Sequence, residues 1–190
     1  MDAVPDELPS AQSASLFERV LGPAAFAALP LPVQALHGGV GRQCWQGQGQ
    51  VERGRHPLAV LMAWAARLPP TGTVPVTVTF DRAAGRERWH RQFGTHVMAS
   101  TLWQRRALLR ERLGLVTFDF ALAQDDATLD WQVRAVRALG VPLPLRWFGG
   151  VQARESADGA RYRFLVDVRL PGVGLLVRYD GWLLPVGDDD

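Results

Sequence analysis

The most constraining feature of this sequence is the period-two alternation of apolar and polar residues that dominates the chain after residue 72. In the segment 162–170, aromatic and aliphatic residues occupy every second position, and most residues between them are charged. Similar patterns recur in 74–80, 116–120 and 129–135. Because successive side chains of a strand point to opposite faces, each pattern predicts a β-strand with one buried face.

Short turn signals separate these segments. Gly85 lies between two alternating runs, Asp158-Gly159 is a typical hairpin dipeptide, and 171–174 combines proline with two glycines. Strands that are joined by such short connections pair antiparallel. Together with a first strand over 42–53, the sequence predicts about eight or nine strands in a mainly antiparallel sheet.

The strongest helix signal covers residues 57–68. Pro57 is suited to a first helical turn, Pro69-Pro70 ends the pattern, and Arg67 is the one charged residue within it. A helix that is apolar on nearly all sides is expected to be buried on more than one side. We therefore predict an α+β fold, predominantly antiparallel β. In it, a strongly curved sheet or partly closed barrel wraps around this helix, with short helices at the N-terminus.

The ends of the chain differ in composition from its middle. Residues 1–13 are rich in proline, serine and acidic residues, lack the pattern of a signal peptide and predict a flexible tail. Residues 14–186 predict a single globular domain, and 187–190 predict an acidic tail. The uncharged stretch 20–41 is interrupted by prolines and glycines, so we expect no membrane span and a cytoplasmic location.

The basic residues are all arginine, and the chain contains no lysine, isoleucine or asparagine. These three residues have A/T-rich codons, so their absence indicates a bacterial gene of high GC content rather than a functional selection. The net charge is only +2, and acidic residues are interleaved with the arginines. The sequence therefore predicts no nucleic-acid partner, and the lack of lysine excludes Schiff-base chemistry and a P-loop lysine.

Motifs for cofactors, metals and nucleophiles are missing from the sequence. Gly47-Gln48-Gly49 lacks the third glycine and the helix of a dinucleotide-binding turn. The four histidines show no helical ligand spacing, although His90 and His96 flank a turn. Cys44 is the only cysteine and has no base nearby in sequence. We predict no cofactor, no metal site and no catalytic nucleophile.

Charged residues occupy three positions on predicted apolar faces. Arg91 lies between two aromatic residues in the alternation, Glu111 lies between two leucines, and Glu155 follows two small apolar residues. A charge on an internal face is costly unless it is paired or bound to a ligand. Two interpretations stay open: Arg91 and Glu111 form a structural ion pair, or these charges form the polar floor of a ligand cavity.

The second interpretation leads to a binding hypothesis. A cavity between helix 57–68 and the sheet would hold a hydrophobic or amphipathic small molecule such as a lipid, and Arg91 would bind a carboxylate in a bidentate way, through two of its guanidinium nitrogens. The candidate ligand-binding residues are Arg91, Glu111, Trp89, Phe93, Glu155, His37 and Trp64.

An enzyme is the alternative use of the same cavity. Glu111 or Glu155 would be the acid or base, with His37 or His90 assisting. This alternative requires a glutamate and a histidine within hydrogen-bond distance that both face one pocket.

Several short segments, in this order and spacing, resemble a known bacterial family. They are Leu36-His37-Gly38, Trp89-His90-Arg91-Gln92-Phe93, Ser100, Glu111-Arg112-Leu113-Gly114, Pro142-Leu143-Pro144, Pro171-Gly172-Val173-Gly174 and Tyr179-Asp180-Gly181-Trp182-Leu183. The chain is similar over about residues 15–185 to the family known as domain of unknown function 4166. In that family the domain stands alone or follows a saccharopine-dehydrogenase-like domain. The resemblance implies a third hypothesis, an accessory module of a dehydrogenase partner, and it supplies no catalytic residues.

Overall fold

A computed structural model describes residues 14–65, 68–83 and 85–187, so the predicted tails lie outside the described residues except for Gly187. The helices are α1 (Leu16–Leu21), α2 (Pro23–Ala27), α3 (Leu31–Gly38) and α4 (Pro57–Ala65), with a 3-10 helix at Leu145–Phe148. The strands are β1 (Arg42–Arg53), β2 (Gly72–Ala83), β3 (Arg86–Phe93), β4 (His96–Arg105), β5 (Leu108–Leu113), β6 (Val116–Asp125), β7 (Thr128–Ala138), β8 (Val141–Leu143), β9 (Gly150–Asp158), β10 (Arg161–Leu170) and β11 (Gly174–Pro185).

The strands form a closed antiparallel barrel. From β1 to β7, each strand pairs with the next strand in the chain. Strand β7 then pairs with β9, β9 with β10, β10 with β11, and β11 with β1, which closes the ring. The three-residue β8 adds to the free part of the β7 edge. The prediction of a mainly antiparallel β fold with short N-terminal helices is confirmed. The described residues form eleven strands, ten of them in the ring, instead of the eight or nine predicted. The eleventh, β8, has three residues and is too short to show alternation.

Glycines permit the close contact between β1 and β11 that helps to complete the ring. Gly49 pairs with Gly181, and a Cβ atom on Gly181 would lie 2.2 Å from the carbonyl oxygen of Gln48. The same residue would bring its Cβ within 2.7 Å of the Phe164 ring. Only glycine fits at this position. These glycines also explain why β1 alternates poorly in sequence.

The two ends of the barrel are covered differently. Helices α1 to α3 precede β1 and pack against strands β4, β5, β6, β9 and β10 at what we call the closed end. Phe17 of α1 and His37 of α3 are fully buried there, and Leu36 is 1% exposed. Helix α4 connects the end of β1 to the start of β2, so it lies at the opposite end, which we call the open end.

The prediction that the sheet wraps around helix 57–68 is wrong. Of the side chains of α4, Ala59 and Ala63 are buried, whereas Leu61 is 58% and Trp64 75% exposed. The described helix ends at Ala65, and residues 66–67 lie outside the described part of the chain. The barrel is closed by its own strands, so the β1–β2 connection can place a helix only at its end.

Candidate functional site

The barrel encloses a cavity of about 410 Å³ that is lined mainly by aliphatic and aromatic side chains. At the closed end its lining residues, such as Phe80, Trp89 and Leu183, are buried. At the open end the lining includes Leu115 and Leu139, which are 54% and 75% exposed. The cavity therefore reaches solvent at the open end. Its volume falls within the range of roughly 300–1,000 Å³ that is typical of small-molecule sites.

A charged pair crosses one wall of this cavity. Arg91 on β3 donates to the Oε1 atom of Glu111 on β5 at 3.0 Å, and to the hydroxyl of Ser100 on the intervening β4 at 2.8 Å. Both charged side chains are nearly buried, at 13% and 11% exposed. The inward orientation of Arg91 and its pairing with Glu111 agree with the alternation of β3 and β5 in the sequence.

The charge of Arg91 is balanced within the protein. Its guanidinium lies 4.5 Å from the centre of the Trp89 ring, a cation–π distance, in addition to its bond to Glu111. A ligand carboxylate would have to compete with Glu111 for this cation and would bring a second negative charge into an apolar cavity. The arrangement therefore favours an uncharged polar group on a ligand over the carboxylate that the sequence suggested.

Two tyrosines line the same cavity. Burial raises the pKa of Tyr179 to about 12, against a smaller opposing effect of the Arg91 cation. Burial likewise raises the pKa of Tyr162 well above its usual value, and the neighbouring Glu155 carboxylate raises it further. Both phenols are thus neutral hydroxyls near neutral pH, able to donate or accept a hydrogen bond.

Glu155 on β9 is the third predicted charge, and it belongs to a buried hydrogen-bonded cluster. Its Oε2 lies 2.5 Å from Nε2 of His37, and its carboxylate contributes to the raised pKa of the nearby Tyr162. Glu155 lines the cavity, whereas His37 is absent from the described lining residues. The Nδ1 atom of His37 has no hydrogen-bond partner among the described residues. His37 and Glu155 are thus in contact, but only Glu155 lines the cavity.

At the closed end, aromatic rings of the cavity lining pack against buried rings of the N-terminal helices. Phe17 stacks on His37 with ring centres 3.6 Å apart and lies 5.9 Å from Trp89. Trp131 of β7 lies 6.1 Å from Trp89, edge to face. Its indole Nε1 is buried without a hydrogen-bond partner among the described residues. The ring of Trp131 lines the cavity, whereas its Nε1 atom is covered by protein.

The structure separates the remaining candidates. Phe93 and Trp89 line the cavity with Arg91, Glu111 and Glu155. Trp64 does not: it is 75% exposed on α4, so its assignment to the cavity is corrected. His90 is on the outer face of β3, 4.0 Å from Asp81, so it is not available to assist a glutamate inside the barrel.

The lining residues that were not candidates from the sequence include three aromatic residues with a polar atom: Tyr162, Tyr179 and Trp131. Their alternation placed them on inward faces, so the signal was present for all three. Nothing in the sequence, however, distinguishes an aromatic residue that fills a core from one that lines a cavity.

Within residues 14–65, 68–83 and 85–187, no three metal-ligating side chains come together. In the same part of the chain, no helix has both the length and the apolar character needed to cross a bilayer.

Comparison with known proteins identifies a family and a similar solved structure. The family described as Domain of unknown function (DUF4166) matches residues 29–183. The crystal structure of Rv2717c from M. tuberculosis is similar with 14% sequence identity and a TM-score of 0.44, over 84% of this chain and 99% of that chain. No protein of curated function matches the sequence.

Proposed function

The chain belongs to the DUF4166 family, and we propose that its barrel binds a small, largely apolar molecule whose polar end is uncharged. The observation that carries this proposal is the cavity of about 410 Å³, apolar over most of its lining and open at one end. Apolar cavities with a few convergent polar groups are the usual form of small-molecule sites.

The polar groups define the expected ligand chemistry. Arg91 and Glu111 neutralise each other. The phenols of Tyr162 and Tyr179 are protonated at neutral pH, as tyrosine ordinarily is, and burial raises the pKa of each further. A hydroxyl, carbonyl or amide on an otherwise apolar molecule meets these groups without adding an unpaired charge.

A pair of dyes with the same ring system tests this proposal. Phenylnaphthylamine is neutral, whereas anilinonaphthalene sulfonate carries one negative charge, and both fluoresce on entering an apolar site. We expect the neutral dye to bind the wild-type protein more tightly. Glu111→Gln leaves the Arg91 cation unbalanced, so this variant should shift the preference towards the sulfonate.

A matched pair of substitutions tests the location of the dye. Ala153 lines the cavity, and Ala99 is exposed on the outer face of β4. Ala153→Phe fills part of the cavity and should raise the dissociation constant of the neutral dye by roughly tenfold or more. Ala99→Phe adds the same ring outside the barrel and should change nothing. Equal binding by both variants, or no binding by the wild type, would contradict the proposal.

Acid–base catalysis at Glu155 is a second candidate, favoured by its 2.5 Å contact with His37. It is less supported, since the required histidine, His37, is not among the described lining residues and instead stacks against the ring of Phe17. The dehydrogenase partnership stays a prediction, because no feature of the described residues bears on it.

A further inference from the structure

Exposed apolar side chains collect at the open end of the barrel. They come from α4 and from the connections that follow β5 and β7. We call them the open rim: Leu58, Val60, Leu61, Trp64, Leu115, Leu139, Val141, Leu145 and Trp147. Exposed apolar surface that is collected in one region, rather than scattered, marks an interaction site.

Helix α4 is oriented opposite to an ordinary surface helix. Its small residues Ala59 and Ala63 pack against the barrel, while the large residues Leu61 and Trp64 point to solvent. A helix that is stabilised only by its own protein buries its large apolar residues. In water these exposed residues gain no stabilisation from the hydrophobic effect. They gain it if the outer face of α4 enters an apolar phase.

In the described connections of the open end, the charged residues are of one sign. The segments 54–65, 68–71, 94–95, 114–115, 139–149 and 171–173 contain no aspartate or glutamate, but they contain Arg55 and Arg146. An anionic lipid surface complements such a set. A second copy docked symmetrically on the same end would bring arginine against arginine.

We infer that the open rim docks on the surface of a bilayer that contains anionic lipid, with α4 in the interfacial layer. Two tryptophans, Trp64 and Trp147, are exposed at this end, and tryptophan favours the level of the lipid headgroups. Leu115 and Leu139 belong both to the rim and to the cavity lining. Docking would therefore place the mouth of the cavity against the bilayer, where an apolar molecule passes without crossing water. This inference goes beyond the ligand proposal, and each holds or fails separately.

Sedimentation with vesicles tests the inference directly. The full chain is mixed with vesicles of phosphatidylcholine, or of phosphatidylcholine and phosphatidylglycerol in equal parts. The test variant is Leu61→Ser with Trp64→Ser. The matched control is Leu31→Ser with Val40→Ser, because these residues are 77% and 74% exposed at the closed end. None of the four residues lines the cavity.

We expect the wild type and the control to sediment with the anionic vesicles and to bind the neutral vesicles less. The partition coefficient of the test variant for anionic vesicles should be lower by about tenfold or more, since two large apolar residues no longer enter the bilayer. It should still bind the neutral dye, which separates this inference from the ligand proposal. The inference fails if the wild type does not bind anionic vesicles, or if test and control variants lose binding equally. It also fails if the wild type and the control variant are dimers and the test variant is a monomer, because the rim would then be the interface with a second copy.

Discussion

Helices α1 and α3 at the closed end fully bury large side chains, whereas the fully buried described side chains of α4 at the open end are alanines. Phe17 and His37 are fully covered and stack on each other, while Trp64 is 75% exposed. All three helices are short and contain large apolar residues, so composition does not explain the difference. The closed end completes the core of the protein, whereas the open end leaves a cavity mouth surrounded by apolar side chains. Stability and function are thus expected to depend on opposite ends of one barrel.

The largest effect is expected at the closed end. Phe17→Ala removes a fully buried ring that contacts both His37 and Trp89. It should lower the free energy of unfolding by about 3–5 kcal/mol, as for other buried phenylalanines. Urea denaturation followed by tryptophan fluorescence measures this loss. A loss below about 1 kcal/mol would mean that the helices are not part of the core.

The pair in the cavity wall is expected to have the next largest effect. Arg91→Leu leaves Glu111 nearly buried without its cation and should cost about 3 kcal/mol. The double variant Arg91→Leu with Glu111→Leu should recover much of this loss in the same denaturation experiment, because no unpaired charge is left. If the single variant is as stable as the wild type, water reaches the pair and the open end extends deeper than described.

The chain contains two tyrosines, and both line the cavity. An alkaline titration of the phenols therefore reports on the surroundings of the cavity alone. The pKa of Tyr179 is raised to about 12, and that of Tyr162 is raised well above its usual value. An unfolded tyrosine loses its proton near pH 10. The unfolded state therefore releases protons first, and stability present below pH 10 falls as the pH rises towards 12. For Tyr179 this loss is about 2–3 kcal/mol.

Phenolate absorbance of the native protein should show both tyrosines ionising above pH 10, with the Tyr179 step near pH 12. The Tyr179→Phe variant should lack the step near pH 12. Ionisation of both residues near pH 10 in the folded protein would show that solvent reaches the whole cavity.

The smallest effect on stability is expected at the open end. Trp64→Ala removes the most exposed tryptophan of the described residues and should change the free energy of unfolding by less than about 0.5 kcal/mol. Thermal unfolding of the protein without lipid measures this. A destabilisation comparable with that of Phe17→Ala would show that α4 is a core helix, as its sequence suggested, and would remove the contrast between the ends.

The sequence by itself determined which side chains point into the barrel. Period-two alternation is a local property of a strand, so the inward positions of Arg91, Glu111 and Glu155 followed from their neighbours alone. The antiparallel pairing followed from short turns, and the pairing of Arg91 with Glu111 followed from the cost of an unpaired buried charge.

Only the tertiary structure decided where the ends of the barrel lie and what covers them. Closure depends on the pairing of β6 with β7 and of β1 with β11, and β1 and β11 are far apart in sequence. The contact between His37 and Glu155 likewise joins residues 118 positions apart. The apolar pattern of α4 predicts burial in any apolar surroundings, but it does not say whether protein or lipid supplies them. That distinction depends on the space inside the closed ring, which the inward side chains and the cavity already occupy.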